Sequence, residues 1–511
     1  MKRTGKPHVA AWSALLFLAV AVAAAVGGGC GGEATPDPRL VVLYVPCTVN
    51  RLFLSPYDDA VEFTPNFERF AAEGSVFSKH QSEAGQSAIA YASILTGAQA
   101  DRHGIFSQPT RLDDSLDTVS EAFAAAGYET FFWAGHSFTA PAYGFGQGVA
   151  PRNVFEAALQ ARDPVFREIL AKLQTDPSYK AFVFTSFSVT HAPYKISHVA
   201  RFCAKYPKRC RFDDGERLTD RLKEKNRFYL EHRTDLSMNY PETVEKLGLA
   251  GRELAVLAAT LEMLYASNVH ALDARFGRLL DAIEEAGIAD DSLIVMTADH
   301  GETLHRANAL FKWMHGWQLS PEVLNVPWIV RSARAPAGGR FDAVTASVDV
   351  FPTLLGLAGV PLPAGGESQL VGRDLSGFLD RSSRVEERPA FSHTTVLDRR
   401  YAHLVEGRTL WQQFHDDVET GDLWVSVRNE DVVTKYRNLD GERWGFEVFD
   451  LASDPAEEVN LYDENDREQG RTAEALLAYR DRLIAAWRRG GSRQILDRRA
   501  IDELRELGYV D

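Results

Sequence analysis

The stretch Ser292-Leu293-Ile294-Val295-Met296-Thr297 is a continuous apolar run, and Ala298-Asp299-His300-Gly301-Glu302 follows it directly. A run of this length predicts a strand that is buried on both faces of a mainly parallel sheet. In such sheets the ligand site lies beyond the carboxyl ends of the strands, where Asp299 and His300 would project. A carboxylate beside an imidazole can hold a divalent metal ion, but a strand-end turn with a hydrogen-bonded histidine uses the same pair.

Similar apolar runs alternate with helical segments along the chain. Further buried strands are predicted at Leu40–Val45, Tyr128–Trp133, Ala181–Ser188 and Val326–Arg331. Helices are predicted at 117–126 and 252–286, and each ends at a glycine, Gly127 or Gly287. Strands that alternate with helices indicate an α/β fold with a central, mainly parallel sheet flanked by helices.

A Pro/Gly-rich stretch at 359–366 indicates a boundary between two parts of the chain. We therefore predict a catalytic domain at 39–360 and a smaller C-terminal subdomain at 361–511. Short β-like segments between Arg399 and Asp450 predict a small antiparallel sheet, and helices are predicted at 470–490 and 498–507.

The amino terminus has the pattern of an export signal. Lys2, Arg3 and Lys6 precede the apolar segment Ala10–Val26, and small residues then lead to Cys30. This pattern predicts a lipoprotein-type signal peptide at 1–29, lipidation of Cys30 and a linker at 30–38. The protein would then be exported and anchored to a membrane of a bacterial cell envelope, facing the periplasm or the outside. An ordinary signal peptide and an uncleaved membrane anchor are the alternatives.

Charge and cysteine content narrow the function further. Lys and Arg total 56 against 71 Asp and Glu, a net charge of −15, which argues against nucleic acid as the partner. A local basic pocket for an anionic substrate remains compatible with this balance. In an oxidising compartment Cys203 and Cys210 are close enough in sequence for a disulfide, which leaves Cys47 without a partner.

Several motifs together resemble the sulfatase family of the alkaline phosphatase superfamily. Gln86–Gly97 resembles the segment that opens the nucleophile helix of that family, and it places the nucleophile on Ser87. Further similar stretches are Thr64-Pro65-Asn66, His103-Gly104, His191-Ala192-Pro193-Tyr194, Asp299-His300, Lys312, His315-Gly316 and Asn325-Val326-Pro327. The resemblance implies an alkaline-phosphatase-like sandwich. It also implies catalytic roles for His315 and His191, and substrate binding by Lys312, His136 and Asn50.

Three departures from that family pattern affect the predicted chemistry. Cys47 stands where the family places an acidic metal ligand, and Ser87 lacks the Pro and Arg that accompany conversion to formylglycine. The family's Lys-x-His falls on Gly135 and Ser137. The remaining pattern resembles the phosphodiesterases and lipid-headgroup phosphotransferases of the superfamily, which use an unmodified serine or threonine.

The expected function is a metal-dependent hydrolase of a sulfate or phosphate ester, with Ser87 as the nucleophile. Cys47, Ser87, Asp299 and His300 would hold one divalent ion, and this ligand set favours Zn²⁺ over Mn²⁺, Ca²⁺ or Mg²⁺. The substrate would be a small anionic ester or a lipid or glycan ester, and the membrane would be contacted through the lipid anchor. Two alternatives stay open: a phosphotransferase that uses an acceptor alcohol, and a non-catalytic binding protein.

Overall fold

The computed structural model describes residues 36–106, 108, 110–210, 218–238, 240–305, 312–379, 386–395, 423–439 and 443–490. Apart from Pro36, these residues belong to one compact unit, Asp37–Asp511. The predicted signal peptide, Cys30, most of the predicted linker and the predicted helix at 498–507 lie outside the described residues.

The larger of two sheets has eight strands, in the order β4-β3-β5-β1-β6-β7-β2-β8. They are β1 (Leu40–Cys47), β2 (Ser75–Gln81), β3 (Glu129–Gly135), β4 (Val154–Phe155), β5 (Ala181–Ser188), β6 (Ser292–Thr297), β7 (Trp328–Arg331) and β8 (Gly339–Ala346). Five neighbouring pairs are parallel, and the two pairs that involve β7 are antiparallel. The sheet is therefore mixed and mostly parallel.

Strand β1 lies inside the sheet, and all of its residues are buried. Its side chains alternate between two hydrophobic layers, as the two-residue repeat of a strand requires. Leu40, Val42 and Tyr44 face one layer. Val41, Leu43 and Val45 face the other. Burial on both faces explains why β1 and β6 read as unbroken apolar runs.

Helices cover both faces of this sheet, and one more helix packs on the second sheet described below. They are α1 (Pro65–Glu73), α2 (Ser87–Thr96), α3 (Ala100–His103), α4 (Val119–Ala125), α5 (Pro164–Thr175), α6 (Val199–Lys205), α7 (Leu218–Met238), α8 (Tyr240–Lys246), α9 (Arg252–Glu285), α10 (Pro321–Leu324), α11 (Val350–Ala358), α12 (Ser376–Leu379) and α13 (Arg467–Arg488). Within the described segments, no helix combines the length and the apolar character needed to cross a membrane.

A second, separate sheet is formed near the carboxyl end of the chain. Its four antiparallel strands are β9 (Ala390–Thr395), β10 (Leu423–Asn429), β11 (Val432–Asn438) and β12 (Trp444–Asp450), in the order β12-β11-β10-β9. Leu476 and Leu483 of α13 pack in one apolar cluster with Leu423 and Val425 of β10. The predicted fold class, including the small antiparallel sheet, is confirmed.

The structure differs from the sequence prediction at the strand expected from Val326 to Arg331. Strand β7 begins only at Trp328, because Pro327 has no N–H for a ladder hydrogen bond, and the strand runs antiparallel to β6. Strands β2 and β8 were not predicted. Their sequences mix polar and apolar residues, so they lack the continuous apolar run that marks the central strands.

Candidate active site at the carboxyl edge of the sheet

The carboxyl ends of three strands that run in one direction bring the central groups together. Strand β1 ends at Cys47, and Asp299 and His300 directly follow β6, which is the neighbour of β1. Strand β2 leads through a short loop into α2, whose first residue is Ser87. The Ser82 hydroxyl in that loop donates to the Asp299 carbonyl at 2.5 Å, which ties the loop to the end of β6. The expected location of the site at this edge therefore agrees with the structure.

Ser87 and His300 form a hydrogen-bonded pair. The Ser87 Oγ lies 3.1 Å from His300 Nε2, and both residues are buried. His300 Nδ1 lies 2.9 Å from the carbonyl oxygen of Gly301, so Nδ1 must carry the proton. In the neutral imidazole, which a base or a metal ligand requires, the lone pair of Nε2 is then directed at the Ser87 hydroxyl.

Asp299 presents one bonded and one unbonded carboxylate oxygen. Its Oδ1 accepts from the backbone N–H of His300 at 2.7 Å and of Thr48 at 3.0 Å. Its Oδ2 is buried, receives no hydrogen bond from the described residues, and lies 3.4 Å from His300 Nε2. Burial acts to raise the pKa of Asp299, but His300, His136 and the two N–H donors bring the pKa below its ordinary value. The carboxylate is therefore ionised, with one free oxygen directed at a nitrogen lone pair.

Cys47 completes this group. Its Sγ lies 3.6 Å from Ser87 Oγ, 3.9 Å from His300 Nε2 and 2.8 Å from Thr48 Oγ1. Burial, together with the charge of Asp299, raises the pKa of the Cys47 thiol well above its ordinary value. A positive charge beside the sulfur would have the opposite effect on that pKa.

These atoms fit a divalent metal ion. One ligand atom from each of Cys47, Asp299 and His300 lies within 4.8 Å of the others, and all three residues are buried. A tetrahedral zinc site with bonds of about 2.0–2.3 Å has ligand-to-ligand separations of roughly 3.3–3.8 Å. The measured separations around His300 Nε2 run from 3.1 to 3.9 Å. A cation would also give the unbonded Asp299 Oδ2 a partner. If Asp299 and His300 only formed a structural turn, this buried oxygen would have none among the described residues.

A stack of histidines borders this group. The His315 ring lies 4.4 Å from the His300 ring in a stacked arrangement, and the His191 ring meets His315 edge-on at 4.6 Å. His315 Nδ1 lies 3.2 Å from Glu302 Oε1. Burial lowers the pKa of His191 and His315 well below the ordinary value, so both imidazoles are neutral at pH 7. The two predicted catalytic histidines thus lie together, next to His300.

The loop after β1 is held in an unusual backbone conformation. Thr48 has a φ of 65°, which is strained for a β-branched residue. The Tyr265 hydroxyl donates to the Thr48 carbonyl at 2.9 Å and accepts from the Asn50 N–H at 2.8 Å. The Asn50 amide donates to the Glu302 carbonyl and caps Leu52. Asn50 therefore positions the loop. Its contact with substrate stays a prediction, because the Asn50 side chain would first have to break one of its hydrogen bonds within the protein.

The other two predicted substrate-binding residues are buried. His136 follows β3 at the same edge of the sheet, and its Nδ1 has no hydrogen-bond partner among the described residues. Burial lowers the pKa of His136 to about 4. Lys312 is 3% exposed, and burial lowers its pKa to about 8. Their substrate contacts stay predictions.

Cys203 and Cys210 lie away from these groups, in and just after α6. The structure joins them by a disulfide with Cα atoms 5.6 Å apart. Among the described residues Cys47 is the free cysteine.

Sequence reasoning missed three residues of the site: Thr48, described above, Glu302 and Gln86. Glu302 is fully buried, and burial raises its pKa to about 8. The sequence could have indicated Glu302 through its position in the short segment that follows the buried strand β6. Gln86 occupies the N-cap of α2 without capping it, and both polar atoms of its amide are buried without partners in the described segments. A long amide at a position that favours Ser or Asp was the signal there.

The Gln86 amide should bind substrate at a cost to stability. Replacing Gln86 by Leu removes two unsatisfied buried polar atoms, so we expect the free energy of unfolding to rise by about 1 kcal/mol. The same change should raise KM for an anionic ester, with kcat less affected. Denaturant unfolding and steady-state kinetics measure the two effects. A Leu variant that is less stable, with unchanged KM, would show that the amide serves the fold.

Comparison with known proteins identifies the family and supports the fold. The sequence model of the sulfatase family, described as Sulfatase, matches residues 48–360. Steryl-sulfatase of Mus musculus is 30% identical over 181 residues, which cover 33% of this chain and 27% of that protein. N-acetylglucosamine-6-O-sulfatase of Bacteroides thetaiotaomicron is 28% identical over 203 residues, which cover 39% of this chain and 31% of that protein. The chain thus matches about a third of the length of these relatives.

Solved structures show a similar fold over most of the chain. One, solved with its substrate D-glucosamine-2-N,6-O-disulfate, superposes with a TM-score of 0.62 at 19% identity and covers 88% of this chain and 98% of that chain. The phosphonate monoester hydrolase of Agrobacterium radiobacter gives a TM-score of 0.57 at 19% identity, covering 88% of this chain and 96% of that one. Since the family match spans more than half of the chain and the folds agree, this protein belongs to the sulfatase family.

Proposed function

We propose that the protein is a metal-dependent hydrolase of a sulfate or phosphate ester, with an unmodified Ser87 as the nucleophile. The observation that carries the proposal is the convergence of Ser87 Oγ on His300 Nε2 at 3.1 Å, beside Cys47 and Asp299. Membership of the sulfatase family supports ester hydrolysis as the reaction class.

Cys47, Asp299, His300 and Ser87 would hold the metal ion. When bound, the ion would supply Lewis-acid polarisation of the ester and lower the pKa of the Ser87 hydroxyl. Ser87 gives its proton to solvent and attacks the sulfur or phosphorus atom in line, so that a bond from Oγ forms as the bond to the leaving-group oxygen breaks, and the leaving group departs as an alcohol after it takes up a proton from solvent. Water then cleaves the serine ester. The rigid ends of β1 and β6 keep the attacking oxygen in place between these steps.

His315 and His191 act on the departing oxygen. Both are neutral at pH 7, so a ring N–H can donate a hydrogen bond to the oxygen as negative charge develops on it. Glu302 holds the His315 ring by its contact with Nδ1, which directs Nε2 away from the carboxylate. Glu302 is therefore a positioning residue for His315.

The first candidate substrate is a sulfate ester carried on a sugar. A structural neighbour was solved with a sulfated glucosamine as its substrate, and a relative is named as an N-acetylglucosamine-6-O-sulfatase. A phosphate or phosphonate ester is the second candidate. It is favoured by the residues after Ser87, which lack the formylglycine signature, and by the phosphonate monoester hydrolase neighbour.

Paired substrates with the same leaving group test the proposal. We expect the purified protein to release 4-nitrophenol from 4-nitrophenyl sulfate or from a 4-nitrophenyl phosphonate monoester, and a chelator to stop the release. Readdition of Zn²⁺ should restore it. Absence of release from both esters at saturating Zn²⁺ would instead support the non-catalytic binding protein.

We expect the deprotonation of Lys312 to weaken substrate binding at alkaline pH. Its pKa is lowered to about 8, so it loses the charge that attracts an anionic ester as the pH rises through that value. We therefore expect KM to increase above about pH 8, whereas an ordinary lysine would hold its charge to about pH 10.4. Lys312→Arg should remove the increase, because arginine stays charged. A KM profile of the Arg variant that matches wild type would exclude Lys312 as the group that titrates.

We also propose that the protein is exported and carries lipid on Cys30. The proposal is based on the basic residues at the amino terminus, the apolar segment that follows them and the small residues before that cysteine. Cys30→Ser should shift the protein from the membrane fraction to the soluble fraction, whereas Cys203→Ser should leave the distribution unchanged. A Cys30→Ser variant that stays in the membrane fraction would indicate an uncleaved anchor.

A further inference from the structure

An arginine-lined cleft, separate from the groups around Ser87, lies in the helical layer that covers one face of the sheet. The cavity has a volume of about 550 Å³ and is bordered by the loop before α5 and by helices α5, α6 and α9. Five arginines line it: Arg162, Arg167, Arg201, Arg275 and Arg278. Such a concentration of positive charge is unusual in a chain with a net charge of −15.

Among the described residues, the carboxylates of the arginine-lined cleft pair with one of these five arginines, Arg167. Asp281 is paired with Arg69, which does not line the cleft, at 2.8 Å. Glu285 is 3.8 Å from Arg167. The described residues place no carboxylate within salt-bridge distance of the other four arginines. The cleft therefore has surplus positive charge contributed by the loop before α5, by α6 and by α9.

Contact with an aromatic ring holds the side chain of Arg275 in place in the lining of the arginine-lined cleft. Its guanidinium group lies over the ring of Phe187, 5.2 Å from the centroid, and Phe187 is buried. The Nη1 atom of Arg275 is buried and has no hydrogen-bond partner among the described residues. Because this Nη1 atom has almost no solvent-accessible surface, it does not face the cleft, and Arg275 would meet an anion there through its other guanidinium N–H groups.

The pKa of His198 indicates that the electrostatic potential near the arginine-lined cleft is positive. Burial lowers the pKa of His198, and the charges of Lys195, Arg275 and Arg201 lower it further. The segment that carries His191 in the candidate active site continues through Lys195 and His198 to Arg201. One continuous segment of the chain thus supplies His191 to the candidate active site and Arg201 to the cleft.

We infer that the arginine-lined cleft binds an oligosaccharide that carries several sulfate groups. Guanidinium forks match the paired oxygens of a sulfate group, and the volume falls within the range of about 300–1,000 Å³ for small-ligand sites. Asp281, Glu285 and Gln160 offer acceptors for sugar hydroxyls, while the described lining residues include no aromatic ring on which a nucleobase could stack. The identification of the ligand as an extension of the substrate rests on the proposed function, but the binding of a polyanion does not.

Calorimetry with sucrose octasulfate tests the inference on the full chain. We expect wild type to bind it, and Arg201→Ala/Arg278→Ala to bind at least about tenfold more weakly, because two charge-assisted contacts are lost. Arg467→Ala/Arg471→Ala removes the same charge from the exposed side of α13 and should leave the affinity unchanged. Unsulfated sucrose should not bind.

Parallel assays separate this inference from the proposed function. Hydrolysis of a small aryl ester should be equal in wild type and in the Arg201→Ala/Arg278→Ala variant. A wild type that binds the octasulfate and depends on these arginines, yet hydrolyses no ester, would support the cleft and overturn the hydrolase. Failure of wild type to bind, or equal binding by wild type and the Arg201→Ala/Arg278→Ala variant, would overturn the cleft.

Discussion

Replacing Ser87 by Ala should lower kcat by about four orders of magnitude or more, since loss of an attacking hydroxyl removes the covalent route altogether. The fold should persist, because Ser87 occupies the first position of α2 and its hydroxyl bonds with site groups and not with the helix backbone. A stopped assay with 4-nitrophenyl esters, together with thermal unfolding, separates the two effects.

Ser93→Ala is the matched control on the same helix. The Ser93 hydroxyl bonds with Glu83 and with the Ile89 carbonyl, away from the groups around His300. We expect a loss of stability of about 1 kcal/mol and a kcat near that of wild type. Equal kcat for wild type and Ser87→Ala would show that another group attacks the ester, and an aldehyde found at Ser87 by mass spectrometry would restore formylglycine chemistry.

Replacing Cys47 by Ala should lower kcat/KM by at least about 100-fold. Changes to groups that merely support a metal ligand already cost about 10- to 100-fold, and the proposal makes Cys47 a ligand itself. Cys47→Asp should recover part of the activity with Mn²⁺, because a carboxylate prefers a harder ion than a thiolate does. Activity measured with added Zn²⁺ and Mn²⁺ gives the comparison.

Val45→Ala is the control for packing on the same strand. Val45 is buried two residues before Cys47 and faces an apolar layer, so its truncation should cost about 2 kcal/mol of stability without a change of metal preference. If Cys47 were only a small core residue, Cys47→Ala would behave like this control. Unchanged activity of Cys47→Ala would remove the thiolate from the site.

The fold could be predicted from the central strands, because burial on both faces leaves an unbroken apolar run in β1, β5 and β6. It could not be predicted at β2 and β8. Their mixed composition reflects partial exposure near one side of the sheet, where alternation is weak. The antiparallel direction of β7 is set by its tertiary pairing with β6 and β2, and no local signal encodes it.

The site was predictable where residues follow a strand directly. Asp299 and His300 were found because they follow β6, whereas Cys47 was found as the unpaired cysteine at the position where the sulfatase family places an acidic ligand. Thr48, Glu302 and Gln86 were missed because their importance depends on groups distant in sequence. Thr48 bonds with Asp299, and Glu302 contacts His315. Gln86 is conspicuous only because the folded chain leaves its amide without a partner in the described segments.

The central claim is that Cys47, Asp299 and His300 hold a metal ion beside Ser87, and elemental analysis of the purified protein tests it most directly. Wild type should contain roughly one zinc ion per chain after dialysis against metal-free buffer, as structural and catalytic zinc sites do. Cys47→Ala and Asp299→Asn should contain almost none, while Val45→Ala should match wild type. Equal metal content in wild type and Cys47→Ala, or no bound divalent ion in wild type, would contradict the account.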